Sequence, residues 1–118
     1  MTRLENDLRI LHIVQDEIHS IFNHLSSHNA YQDFEKDYLV QCVCYKSIVF
    51  IGNALKDISE DLRLEHPHIP WHKAIGLRDK VAHLYEELKV NIIWDTVQMD
   101  YPRLTSQITQ LMKDISNR

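Results

Sequence analysis

The sequence predicts an all-α fold, an up-and-down bundle of four main helices whose last helix is kinked. Three observations predict it. The chain has only two glycines and three prolines in 118 residues, too few breakers for the turns a sheet requires. Apolar residues recur at helical spacing over long stretches. The connections between those stretches are short, which makes neighbouring helices antiparallel.

The first helix is expected from about Thr2 to Leu25. Leu4, Leu8, Leu11, Ile18, Phe22 and Leu25 form its buried stripe, and Thr2 with Glu5 forms a capping box. The stretch SSHNAYQD reads as a loop, and Asp33 as the N-cap of the next helix. That second helix is expected from about Phe34 to Leu64, with Leu39, Val43, Ile48, Ile51, Leu55, Ile58 and Leu62 on its apolar positions. Its centre, CVCYKSIVFIGNAL, is apolar on more than one side, as in a helix with several neighbours or one facing a second subunit. Gly52 costs a helix roughly 1 kcal/mol against alanine, a cost that close approach of another backbone would offset. EHPHIPWH breaks the chain, because Pro67 and Pro70 disfavour helical angles at His66 and Ile69. A third helix starts near Pro70 or Trp71. A break is expected between Glu87 and Asn91, with Asn91 capping a fourth helix from about Ile92 to Ile115. Val97, Leu104, Ile108, Leu111 and Ile115 give that helix its stripe, and Pro102 kinks it by removing the bond to the carbonyl of Gln98. With no repeat or low-complexity linker, residues 1–118 read as one domain.

The bulk chemistry excludes several classes. With 44% apolar and 25% charged residues, the composition is that of an ordinary soluble globular protein. Thirteen basic against seventeen acidic residues, a net charge of −4, argue against a broad nucleic-acid-coating surface, though not against a small basic cleft. The N-terminus MTRLENDLRI is charged and does not read as a signal peptide. No apolar run approaches a membrane span, so no membrane role and a reducing cytoplasmic location are expected. Cys42 and Cys44, two apart, point to different sides of a helix and read as buried hydrophobes, not a disulfide.

Candidate chemistry narrows in the same way. His66, His68 and His72 lie close together, and His12, Asp16 and His19 share a helical face. Neither group has a zinc-type spacing, and no metal or cofactor is expected. Two glycines cannot build a P-loop or a dinucleotide fingerprint. Glu86 and Glu87, as helical neighbours, diverge. What remains is GLRDKVAHLYEE, residues 76 to 87, which gathers Arg78, Asp79, Lys80, His83 and Tyr85. Individually these are ordinary surface or core-edge residues. In combination they suit cleavage of RNA by its own 2′-hydroxyl. Histidine titrates near neutrality and serves as acid or base. Arginine offers a fixed fork of donors to phosphate, and no metal is required. On an ideal helix Arg78 and His83 lie about 140° apart, while Tyr85 shares the face of Arg78. Convergence therefore needs a bent helix end or a second copy across a dimer axis.

GLRDKVAHLY resembles the RxxxxHxY motif of the HepT-like branch of the HEPN superfamily, and IGNAL, HPHIPW and IIWDTVQMDYPRL extend the resemblance over nearly the whole chain. The resemblance implies a dimeric helical toxin of a type VII toxin–antitoxin system, with both motifs facing one cleft. It implies metal-independent endoribonuclease activity, in some members on transfer RNA. It also implies a minimal nucleotidyltransferase antitoxin of the MNT type, which neutralises the toxin by transferring AMP to the motif tyrosine and can join it in a larger hetero-oligomer. By position, Arg78 and His83 match the catalytic pair and Tyr85 the modified tyrosine. Asp79 follows the arginine where asparagine is frequent, and Lys80 lies beside it. Asn53 stands where many relatives carry the carboxylate of IGEA, which implies an altered cleft. The competing expectation is a non-catalytic helical module that binds a nucleotidyltransferase or a nucleotide.

Overall fold

A computed structural model describes residues 1–82 and 86–117, and the side chains of residues 83–88 lie outside that description. Its described elements are helices α1 (Arg3–His24), α2 (Tyr31–Glu35), α3 (Tyr38–Lys56), α4 (Glu60–Glu65), α5 (Trp71–Ala82) and α6 (Glu86–Asp95), a π-helical turn (Thr96–Asp100), and α7 (Tyr101–Ser116). The architecture is the all-α bundle expected, with α1, α3, α5 and the α6–α7 rod as its four main members.

The first helix begins as its sequence requires. The Thr2 hydroxyl accepts the Glu5 amide at 3.1 Å, the first half of the expected capping box, and donates to the Glu5 carboxylate at 3.1 Å in place of the Thr2 amide donating to that carboxylate. Leu11, Ile18 and Leu25 are buried, and Leu4, Leu8 and Phe22 pack at the edge. Ile10, Val14 and Ile21 are buried beside them, which widens the stripe because α1 packs against both α3 and α7.

The second segment departs from expectation. It is three helices rather than one, and Asp33 lies inside α2 instead of capping. Asp37 is the cap: its carboxylate accepts the Val40 amide at 3.2 Å and meets His28 Nε2 at 3.0 Å. Those two interactions hold its pKa below the usual carboxylate range. The short α2 exists to bury Phe34, which packs with Tyr31 on Trp94 of α6 at ring separations of 5.2 and 6.0 Å. The Gln41 side-chain amide ties it down by donating to the carbonyls of Phe34 and Glu35, both at 2.9 Å. At the other end α3 stops at Lys56, and Ser59 caps α4 through the Leu62 amide. The buried carboxylate of Asp7 explains the break: it accepts the Ser59 amide at 2.9 Å and the Ser59 hydroxyl at 2.6 Å. A continuous helix would keep that amide for its own ladder.

The central α3 is long and apolar enough, by length and composition, to cross a membrane, a run that the sequence reading did not count. It is nonetheless the core helix of the bundle, with Ile48, Ile51 and Leu55 fully inaccessible between α1 and α5. Leu39, expected on the buried stripe, is 73% exposed.

Asn91 lies inside α6 and does not cap a helix, so no break falls between Glu87 and Asn91. The backbone is helical from residue 86 to residue 116, and at 1.5 Å per residue this rod sets roughly the 46 Å long dimension of the molecule. The irregularity expected at Pro102 takes the form of the π-helical turn, where the Tyr101 amide reaches the carbonyl of Thr96. Widening the helix just before proline makes room for a ring that would otherwise meet the preceding turn. Val97, Leu104, Ile108, Leu111 and Ile115 are all buried. Gln15 fastens the rod to α1 by donating to the Thr105 carbonyl at 3.2 Å and to the Thr109 hydroxyl at 2.7 Å.

Candidate active site

Arg78 sits where α3 and α5 come closest. A Cβ placed on Gly52 would lie 3.2 Å from both the Cβ of Arg78 and the carbonyl oxygen of Ile75. This is the close approach that compensates for glycine within a helix. Alanine at this point would force the two helices apart by a few tenths of an ångström. The next residue on α3, Asn53, accepts a hydrogen bond from Nη1 of Arg78. On the other side, Nε of Arg78 lies 3.5 Å from the carboxylate of Asp79 and has no hydrogen-bond partner among the described residues. The arginine side chain is 24% exposed, against 72% for Asp79. Its neighbours on α5, Ala74, Leu77 and Val81, face the core, so the guanidinium is held at the boundary between core and solvent.

The structure thus brings together Arg78, Asn53 and Asp79. Lys80 is exposed and makes no ion pair among the described residues. His83 and Tyr85 lie outside the described residues, between the end of α5 at Ala82 and the start of α6 at Glu86.

The chemistry of the Arg78 pair follows from charge. A carboxylate at position 53 would neutralise the guanidinium. The amide oxygen of Asn53 orients it by one hydrogen bond and leaves its full charge for an incoming anion. Among the described residues the acid in contact with it is Asp79, which is solvated, where ion pairs are weak.

The histidines and cysteines among the described residues do not converge on a site. No group of three metal-ligating side chains occurs among the described residues. His66 and His68 meet edge to face at 5.9 Å, and His12, His19, His68 and His72 are exposed. Both cysteines are free: Cys44 is buried, which pushes its thiol up to about 12, and Cys42 is half-buried. Burial also raises the pKa of the Tyr101 phenol, whose hydroxyl has no hydrogen-bond partner among the described residues.

Sequence reading missed one feature. A cleft of about 370 Å³ between α3 and α6 is lined by Tyr38, Tyr45, Lys46 and Lys89, with Val90 and Ile93 forming its apolar wall. The Lys89 ammonium lies 5.0 Å from the centre of the Tyr45 ring. The helical spacing of Tyr38, Cys42, Tyr45 and Lys46 was visible in the sequence, but nothing in it pairs them with Lys89.

A family model described as Ribonuclease HepT-like matches residues 7–111. Among similar proteins is a probable ribonuclease HepT from Thermococcus cleftensis. It is 35% identical over 84 residues, covering 71% of this chain and 76% of the relative. A provisionally assigned RNase from Caldanaerobacter subterraneus subsp. tengcongensis is 31% identical over 84 residues, covering 71% and 75% of the two chains. Another from Methanocaldococcus jannaschii is 35% identical over 86 residues, covering 73% and 71%. No solved structure matches the chain. The match over residues 7–111, from within α1 to within α7, together with relatives named as ribonucleases, establishes that the chain belongs to the HepT-like ribonuclease family.

Proposed function

We propose that the protein is the toxin of a type VII toxin–antitoxin system, a metal-independent endoribonuclease in which Arg78 and His83 act on the scissile phosphate. The observation that carries this reading is the Arg78 guanidinium, held at a helix crossing by the neutral acceptor Asn53. Arg78 binds the phosphate and stabilises charge that grows on it as the 2′-oxygen attacks. His83 moves a proton, either from the 2′-hydroxyl or to the 5′-leaving oxygen. Asp79 and Lys80 tune the field at the mouth of the site. Transfer RNA is a fitting substrate class.

The active species is a homodimer. Leu39, Val43, Lys46, Phe50 and Asn53 follow one another at helical spacing on α3, and Leu39 and Phe50 are 73% and 46% exposed. This largely apolar stripe ends beside Arg78, so a second copy seated on it would bring two motifs to one cleft, one of the two ways in which Arg78 and His83 can converge. Its regulator is an MNT-type nucleotidyltransferase that transfers AMP to Tyr85, acting in the cytoplasm within a larger hetero-oligomer. The added phosphate would compete for Arg78 by charge and by volume.

The decisive experiment is cleavage of RNA by purified protein in EDTA. The expected products carry 2′,3′-cyclic phosphate ends, and His83→Ala abolishes their formation. Cleavage retained in that variant would remove His83 from the mechanism. Co-expression with the cognate nucleotidyltransferase should add AMP units to the intact mass of the wild type and not of Tyr85→Phe.

A further inference from the structure

The cleft between α3 and α6 has a composition that the catalytic motif does not explain. On a chain with net charge −4, it combines two lysines, two tyrosines and an apolar wall, with no carboxylate among the described residues that line it. Its volume, about 370 Å³, falls in the range of small-molecule sites and suits a single nucleotide. Lys89 is aligned over the ring of Tyr45, which fixes an ammonium above an aromatic plane. Tyr38, at the first turn of α3, is 72% exposed. Lys46 supplies a second cation at the rim.

Position along α3 relates this cleft to Arg78. Lys46 and Asn53 are seven residues apart, so they lie on one face about 10 Å apart. Tyr45 and Gly52 have the same separation. A strand with its scissile phosphate at Arg78 therefore reaches the cleft within a short step along its backbone. Tyr38 and Tyr45 are turned by about 120 to 140° around α3 from Leu39, Val43 and Phe50, and Lys46 stands at the border between that stripe and the cleft, so a second copy on the stripe leaves the aromatic side of the cleft open.

We infer that this cleft is a flanking-nucleotide subsite for single-stranded RNA, in which Tyr38 stacks on a base and Lys46 and Lys89 hold the adjoining phosphate. The inference rests on the ribonuclease reading for the identity of the strand. Stacking on an aromatic ring is tolerant of sequence, and it is the usual partner of lysine–phosphate contacts in single-strand binding. The cleft thus supplies affinity for the chain around the cut without choosing the base.

The test is binding of a fluorescent 2′-O-methyl oligoribonucleotide, which cannot cleave itself, to the wild-type protein and to variants. Tyr38→Ala should weaken binding about tenfold, and Tyr38→Phe should restore it. Lys46→Ala should weaken binding and lower the slope of log affinity against log salt by about one. Unchanged affinity in Tyr38→Ala and Lys46→Ala overturns the subsite. So does a Tyr38→Phe variant as weak as alanine, or no binding of the oligonucleotide by the wild type. AMP that displaces the oligonucleotide mole for mole would make the cleft a free-nucleotide site, and loss of the dimer in the variants would make it a subunit contact. Either result overturns the proposal. Binding that follows this pattern in a protein that cuts no RNA would keep the subsite and remove the catalytic reading. RNA cleavage with no effect of Tyr38 or Lys46 would do the reverse.

Discussion

At the scale of single residues, the least expected feature is the partner of Arg78. A carboxylate there would bind the guanidinium more tightly but would offset its charge, whereas Asn53 orients it without offsetting that charge. Removing the charge should therefore cost more than removing its support. Arg78→Ala is expected to lower kcat on RNA about a hundredfold, in the range found when a donor to developing charge is lost. Arg78→Lys should not rescue it, because an ammonium cannot reproduce the planar fork. Asn53→Ala should cost about tenfold in kcat/KM with an unchanged melting curve, and an equal loss for both positions would show that Asn53 does more than position the arginine. Tyr101 makes a different residue-scale prediction. Its hydroxyl is buried without a partner among the described residues, so Tyr101→Phe should stabilise the fold by about 1 kcal/mol in urea titration. The raised pKa values of Cys44 and Tyr101 also fix a sign. The unfolded chain releases the Cys44 proton from about pH 9, while the folded chain keeps it to about 12. The folded state then binds more protons, and stability falls as pH rises through that window. The double variant Cys44→Ala/Tyr101→Phe should show a shallower alkaline decline than the wild type.

At the scale of elements, the crossing of α3 and α5 decides where the site lies. Gly52→Ala gains roughly 1 kcal/mol of helix propensity but places a methyl group 3.2 Å from the carbonyl oxygen of Ile75 and from Arg78. The two terms are of similar size, so the melting temperature should move little. The displaced Arg78 should cost at least tenfold in RNA cleavage, since small misplacements of a binding group are expensive in rate. A large fall in stability with full activity would show that the crossing serves packing alone. The π-helical turn before Pro102 works in the opposite way, accepting an irregular residue so that the stripe from Val97 to Ile115 stays buried.

At the scale of the whole molecule, α3 carries core and surface duties on separate faces. Its inner face holds Ile48, Ile51 and Leu55, and its outer face leaves Leu39 and Phe50 in solvent. A charge on that outer face should do little to the isolated fold and much to the proposed dimer. Leu39→Glu/Phe50→Glu is expected to sediment as a folded monomer with cleavage reduced by at least a hundredfold. A variant that remains dimeric and active would place the interface elsewhere.

Much of this was legible in the linear sequence, for reasons that are local. The 3.6-residue period and the Thr2–Glu5 cap depend on neighbours along the chain, and so do the limits on helix set by Pro67 and Pro70. They gave the all-α class, the start of α1 and the start of α5 near Trp71. The motif around Arg78 is also contiguous and could be read directly. The misplaced boundaries share one cause: several residues had equal local claims. Asp33 and Asp37 are both good caps, and burial of Phe34 against Trp94 chose Asp37. The break after α3 came from Asp7, more than fifty residues away. Sequence alone determined that the chain is a helical bundle carrying a contiguous HepT-like motif. Only the tertiary structure decided that Asn53 meets Arg78 at the Gly52 crossing, that Lys89 lies over Tyr45, and which face of α3 stays in solvent. Those contacts join residues far apart in the chain, and the packing of helix against helix selects them, not the propensities of the residues involved.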